Sequence, residues 1–198
     1  MNDSMINTMT NSMNNSVVSP EVQQALEPFY YCEARLLDSR QYQQWLALLC
    51  LDIEYLMPAR SNPPVDNRQS GTEAMISVER ELEGSDSVAC PLREEGYVHL
   101  MLRAERAFKK NSWSENPPAR TRRMVANVEV LAHDVDAGRS EVYSNFLLYY
   151  SRHDSENFIY SGQRRDILRI TDEGYRIARR EVITDFHVIA APTMGLLF

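Results

Sequence analysis

The sequence is poor in the residues that metal and phosphate chemistry demand. It has three cysteines, Cys32, Cys50 and Cys90, and four histidines, His99, His133, His153 and His187. No cysteine is followed by a histidine two or three positions on, so the paired Cys-x-His and Cys-x-x-His loops of a Rieske cluster are lacking. A mononuclear iron site needs two histidines and a carboxylate facing one point, and no two histidines stand at helical i, i+4 spacing. His133 and His153 each precede an aspartate, but both fall at expected strand ends or turns, where a surface histidine is the simpler reading. The seven glycines do not cluster, which leaves no phosphate-cradling loop, and there is no Gly-x-Ser-x-Gly elbow to expose a nucleophile.

Other absences narrow the class further. Base is not in surplus: the net charge is −7, which argues against nucleic-acid binding, since phosphate contacts draw on extra Lys and Arg. No apolar run approaches the ~20 residues that a crossing helix needs. Residues 1–16 hold neither Lys nor Arg and no apolar segment, unlike a secretory signal. The three cysteines are odd in number and widely spaced, as reduced thiols of a cytoplasm are, and form no disulfide framework. With 198 residues and ordinary apolar and charged fractions, one cytoplasmic domain with a proper core is expected.

What is present reads as helices first and strands afterwards. Residues 1–18 are mostly Asn, Ser, Thr and Met, too polar to offset ordering, and are expected to be a disordered tail; Met5, Met9 and Met13 recur every four residues within it. A single domain is expected over 19–198. Ser19-Pro20-Glu21 is an N-cap, a first-turn proline and a first-turn acid, and Val22, Leu26, Phe29, Tyr30 and Leu37 then share a helical face. Pro28 should kink or restart that helix, and Glu33 is expected at the edge of its stripe. Tyr42, Trp45, Leu46 and Leu49 suit a second helix, Ile53 to Pro58 a short strand, and Tyr97, Leu100, Met101, Ala104 and Phe108 a third helix. Between these, 61–95 is a surface excursion with room for an extra short strand.

After Pro118 the pattern changes to period two. Met124, Ala126, Val128, Val130 and Ala132 form one expected inward face. Val142 to Tyr150 is apolar on both faces, as in a central strand or one that meets a partner. Phe158 to Ile170 follows, with Gly162 marking a bend or bulge, and Asp172-Glu173-Gly174 turns into Tyr175 to Asp185. The expectation is an α+β domain whose mainly antiparallel sheet wraps around the helices. Arg120-Thr121-Arg122-Arg123 and Arg164-Arg165-Asp166 suit salt bridges within the sheet or across an interface better than anion binding. A curled sheet over helices often encloses a pocket, so a stand-alone isomerase, dehydratase or ligand-binding module is the alternative function, with Tyr30, Tyr31, Asp52 and His99 as candidates that serve equally well as core or rim residues.

Four segments resemble one family. Phe29-Tyr30-Tyr31-Cys32-Glu33-Ala34-Arg35-Leu36-Leu37-Asp38, then Tyr42-x-x-Trp45-Leu46-Ala47-Leu48-Leu49 and Asp52-Ile53-x-Tyr55-x-Met57-Pro58, is similar to the opening of β subunits of bacterial aromatic-ring-hydroxylating dioxygenases. Trp113-Ser114-Glu115-Asn116-Pro117-Pro118-Ala119-Arg120-Thr121-Arg122 resembles the family's central motif. Gly162-Gln163-Arg164-Arg165-Asp166-Ile167-Leu168-Arg169 and the ending Gly195-Leu196-Leu197-Phe198 resemble two more, all in the family's order. The departures are the tail, Pro28 and the 61–95 segment.

The resemblance implies a cystatin-like cone, the fold also used by nuclear transport factor 2 and ketosteroid isomerase. It implies a self-trimer under three large α subunits, which would carry the Rieske 2Fe–2S cluster, the mononuclear Fe(II) and the substrate pocket. A ferredoxin and an NADH-dependent reductase would supply electrons, and an arene cis-dihydrodiol would be the product. This chain would hold no cofactor, no metal and no catalytic residue, and would touch neither nucleic acid nor membrane. Its apolar ending would be costly in water, at about 25 cal/mol per Å² of exposed apolar surface, and calls for burial within its own domain or at a subunit boundary. Trp113, Asn116, Arg120, Arg122, Phe146, Tyr150, Arg164 and Phe198 are the expected subunit-contact residues.

Overall fold

The structure, a computed structural model, describes residues 18–83, 90–113, 115–152, 157–186 and 195–198. The expected tail, except Val18, lies outside the described residues, as do Met5, Met9, Met13, Ser114, His153, His187 and positions 190–194 of the apolar ending.

Helix α1 (Pro20–Asp38) starts where its caps place it: the Ser19 hydroxyl accepts the Val22 N–H, and Pro20 occupies a position whose N–H has no helical partner. Pro28 does not divide it; the helix runs unbroken through the proline. Leu26 and Tyr30, on either side, are both completely buried, and burial worth roughly 1.5–3 kcal/mol per large side chain offsets the lost backbone bond. Helix α2 (Tyr42–Leu46) is shorter than its apolar spacing implied, because Leu49 already pairs with the sheet as the first residue of β1 (Leu49–Met57). Among its described residues the 61–95 excursion contains three 3₁₀ turns and two short strands; the preceding β2 (Ala59–Arg60) pairs with the first of these, β3 (Leu82–Glu83), and the second, β4 (Arg93–Glu95), adds to β1. Helix α3 (Tyr97–Arg106) buries Leu100 and Ala104, with Tyr97 and Met101 packed beside them, while Phe108 falls past its end and is exposed.

The long strands β5 (Arg120–Asp134), β6 (Arg139–Ser151), β7 (Phe158–Thr171) and β8 (Gly174–Thr184) follow as an antiparallel meander. The six-stranded sheet runs β4-β1-β8-β7-β6-β5, with β1 and β8 its one parallel pair. It is an open curved sheet, α1 lies against β5, and the core fills the space between sheet and helices. Among the described residues no helix is long and apolar enough to cross a membrane.

Two details decide which side chains face inward. Asn127 has φ 52° and the β5–β6 register shifts between Ala126 and Glu129, so a bulge switches faces in mid-strand. Val128 and Val130 turn inward as their alternation implied, but Met124 and Ala126, before the bulge, turn outward. Gly162 is not a bulge: Phe146 and Thr184 pair with it in regular register on either side. Its role is room. A Cβ there would lie 2.3 Å from the Ile183 carbonyl oxygen and 2.8 Å from the Phe146 ring.

Candidate functional site

The inward positions in the middle of the sheet are charged. Arg164 and Asp166 are two residues apart on β7, and Asp166 faces Arg180 of β8 across the ladder, so alternation aims all three at the helices. Glu33, on the buried stripe of α1, meets them. Its Oε1 accepts from Arg180 Nη1 at 2.5 Å and from Trp45 Nε1 at 3.1 Å; its Oε2 accepts from Arg180 Nη2 at 3.0 Å and Arg164 Nη1 at 3.1 Å. Asp166 accepts from Arg180 Nε at 2.9 Å, Arg180 Nη2 at 2.8 Å and the Tyr30 hydroxyl at 2.9 Å. Arg164 Nε donates to the Ser144 hydroxyl at 3.3 Å, and its guanidinium lies 5.3 Å from the Tyr30 ring centre. Two carboxylates therefore face two guanidiniums, none more than 2% exposed. Burying four charges is tolerable only with this mutual pairing and near-complete hydrogen bonding. Arg164 Nη2 is the one donor of the cluster without an acceptor among the described residues.

The last residues complete the filling. The main-chain oxygens of Leu196, Leu197 and Phe198 accept from Arg93 at 2.8 Å, Arg123 at 2.6 Å and Arg180 at 3.1 Å. The Tyr55 hydroxyl donates to the Phe198 oxygen at 3.3 Å and accepts its N–H at 3.2 Å. The Phe198 ring then packs on Phe146 and Tyr160, with centroids 5.5 and 5.7 Å away. Space that a curled sheet offers a ligand is taken here by an ion cluster and a phenylalanine.

The rim before β5 is the opposite kind of surface. Trp113 is 77% exposed, and Asn116, Arg120 and Arg122 also face outward. Arg152, at the end of β6, fixes this segment by donating to the carbonyl oxygens of Pro117 at 3.0 Å, Asn116 at 3.2 Å and Trp113. Arg122 faces Tyr149, which faces Ile159, and Met124 lies next along β5; Met124, Tyr149 and Ile159 are all exposed on the sheet's outer side. Arg123 alternates inward instead, where Asp38 accepts from its guanidinium at 2.5 Å and its backbone N–H at 2.7 Å.

Among the described residues no three His, Cys, Asp or Glu side chains converge as a metal would require. His133 Nδ1 is engaged with the Ser140 hydroxyl at 2.7 Å, and His99 Nδ1 accepts the Gly96 N–H at 3.3 Å. These donors do not fit an iron or an iron–sulfur centre.

The family described as ring hydroxylating beta subunit matches residues 32–191. The chain belongs to this family. Benzene 1,2-dioxygenase subunit beta of Pseudomonas putida is 34% identical over 183 residues, covering 91% of each chain, and biphenyl 2,3-dioxygenase subunit beta of Rhodococcus jostii gives the same figures. Among solved structures, naphthalene 1,2-dioxygenase with indole bound in the active site superposes with a TM-score of 0.75 over 92% of this chain and 89% of that one, at 18% identity. A putative scytalone dehydratase from Novosphingobium aromaticivorans reaches a TM-score of 0.53 over 88% of this chain and 94% of that one, at 17% identity. The fold is therefore the α+β cone that the resemblance implied.

The beta subunit's structure divides the eight expected contact residues into two groups. Trp113, Asn116, Arg120 and Arg122 lie together on the exposed rim. Phe146, Tyr150, Arg164 and Phe198 do not: each is at most 6% exposed and is spent on the chain's own core. Of the described part of the apolar ending, Leu197 and Phe198 are buried within their own domain and Gly195 and Leu196 are half-buried. Of the four pocket candidates, only Tyr30 faces the interior; Tyr31 is half exposed, Asp52 pairs with Arg169 on the surface and His99 is exposed. Glu33, expected at the stripe's edge, is the centre of the cluster. Spacing could not show this, because its arginine partners lie more than 130 residues away. Alternation also misplaced Met124, because the Asn127 bulge carries no strong sequence signal.

Burial alone would raise the Glu33 carboxyl; the Arg180 and Arg164 guanidiniums, with hydrogen bonds from Arg180 and Trp45, outweigh it and hold it at about 2 instead of 4.5. A lowered folded-state value stabilises the fold fully above pH 4.5, and the contribution drains away as pH falls toward 2. The shift corresponds to about 3 kcal/mol. In urea unfolding, the stability gap between the wild type and Glu33→Gln is expected to be about that much larger at pH 7 than near pH 2; a gap independent of pH would contradict the pairing.

Proposed function

We propose that this beta subunit is the structural, non-catalytic part of a Rieske non-heme iron dioxygenase. One observation carries the reading: among the described residues the carboxylates and guanidiniums at the cone's centre are consumed by one another, Glu33 and Asp166 by Arg164 and Arg180, and are thereby withdrawn from acid–base chemistry on a substrate. The names of its relatives, beta subunits of benzene and biphenyl dioxygenases, support the rest. A large alpha subunit holds the Rieske cluster, the mononuclear Fe(II) and the substrate pocket. Three copies of each chain form a cytoplasmic hexamer over a beta-subunit trimer. A ferredoxin and an NADH-dependent reductase bring electrons, and an aromatic hydrocarbon leaves as its cis-dihydrodiol. The bound metals supply the oxygen chemistry; this chain supplies the platform.

The rim is the natural contact. Trp113, Asn116, Arg120 and Arg122 combine an exposed aromatic with forked cations, the composition that dominates interface energies. Co-expression with the large chain, followed by sizing, tests both levels of the reading. The wild type is expected to elute as a three-plus-three hexamer, and Arg120→Ala with Arg122→Ala to weaken assembly roughly tenfold or more. An unchanged hexamer would remove the rim from the interface; failure of the wild-type chains to co-purify would overturn the subunit reading itself.

A further inference from the structure

Residues 61–81, between β2 and β3, contain no buried residue. Three 3₁₀ turns, Asn67–Gln69, Glu73–Ile76 and Val78–Glu81, shape the segment, and it is closed on itself. The Asp66 N–H donates to the Met75 oxygen at 3.2 Å, and Arg80 donates to the Met75 and Pro64 oxygens at 2.9 and 3.0 Å. Its neck, by contrast, is anchored. There β2 pairs with β3, Leu82 is buried, and Arg60 holds Glu81 at 2.8 Å, Asp185 at 2.8 Å and the Thr184 oxygen at 3.1 Å. Beyond the neck the segment meets the sheet at its last turn. Val78 lies across a groove of about 430 Å³ on the sheet's outer side, walled by Asn145 of β6, Ser161 and Gln163 of β7 and Ile183 of β8. Among the described residues one ion pair holds it there: Glu79 accepts from Arg165 of β7 at 2.7 Å.

Breaking that pair is cheap. The Glu79 side chain is 61% exposed, so its release into water strands no buried acid, and Arg165 keeps Glu181 at 3.6 Å and the Tyr143 ring at 5.6 Å. Exposed pairs of this kind are weak and screened by salt. A segment that buries no apolar side chain and is held through exposed contacts opens while the core stays folded. We infer that residues 61–81 are a strap, hinged at the β2–β3 neck and latched by Glu79 to Arg165, that lifts as a unit and uncovers the outer side of the sheet around Ser161 and Gln163. The uncovered ground adjoins Tyr149 and Ile159, which are exposed with the strap in place, so lifting it enlarges one continuous face. The strap thus controls how much of that face another molecule can reach, with ionic strength as the lever, and it does so whatever the chain assembles with.

Thiol alkylation of the full-length chain tests it. Ser161→Cys places a thiol under the strap and Ile159→Cys one beside it on the same strand face; a bulky maleimide is followed at each position by peptide mass spectrometry. At about 0.05 M salt the thiol at position 161 is expected to react more slowly than the one at 159. Raising salt to about 0.5 M, or introducing Glu79→Gln at low salt, should speed position 161 about two- to fivefold, as the loss of one exposed ion pair implies, and leave position 159 unchanged. Glu79→Gln should also remove the salt response without lowering the melting temperature. Native Cys50, which is buried, reports opening of the whole domain and should stay unreactive throughout. The inference is overturned if position 161 reacts as fast as 159 from the outset, if neither salt nor Glu79→Gln changes its rate, or if Cys50 is alkylated in step with it.

Discussion

Arg180→Met is expected to destabilise the beta subunit by about 3–5 kcal/mol, a large part of the stability of a domain this size. Arg180 spans both acids of the cluster, with two bonds to Glu33 and two to Asp166, and adds one to the Phe198 oxygen. Methionine roughly fills the same space, so the loss is not a cavity effect. It leaves two carboxylates and one guanidinium out of water, with at least one acid unpaired. Arg169→Met is the control: its pairing with Asp52 is two-pronged as well, at 3.0 and 2.9 Å, but lies on the surface, where such a pair is worth about 0–1 kcal/mol. Urea unfolding of both variants checks the contrast. Equal losses at the two sites would show that the buried cluster is not what ties α1 to the sheet.

Gly162→Ala is expected to cost about 1–3 kcal/mol, as overpacking does, although the change adds one methyl group to a strand that nominally favours it. The backbone is extended there and imposes no strain, so conformational freedom is not the reason for glycine. Space is: the Ile183 carbonyl cannot withdraw without breaking the β7–β8 ladder, and the Phe146 ring is held against Phe198. Gly162→Ala combined with Phe146→Leu relieves the ring contact but not the carbonyl contact, so only part of the stability should return. Melting temperatures of the single and double variants measure both terms; a single variant as stable as the wild type would refute the close approach.

Much of this fold was legible because it rests on local rules. Ser19-Pro20 shows the start of α1, period-two alternation shows the long strands, and Asp172-Glu173-Gly174 shows the last turn, where Gly174 has φ 115°. What was not legible depends on contacts distant in sequence. Pro28 looked like a break because its local cost is evident and the burial of Leu26 and Tyr30 that offsets it is not. Met124 looked inward because alternation is trusted until a bulge reverses it. Glu33 looked like a rim carboxylate because acids are seldom buried, and the two arginines that change the rule lie on β7 and β8. The same holds for function. Burial divides the expected contact residues: Trp113, Asn116, Arg120 and Arg122 are exposed, whereas Phe146, Tyr150, Arg164 and Phe198 serve the chain's own interior.

Whether this polypeptide supports oxygen chemistry without performing it, as proposed, is tested most directly by iron and turnover measured on each separated component. The beta subunit and its large partner are purified apart and together, assayed for iron, and supplied with ferredoxin, reductase, NADH and an arene. Iron is expected in the large chain alone, and full turnover only when both chains are combined. Stoichiometric iron in the isolated beta subunit, or conversion of any substrate by it unaided, would contradict the account.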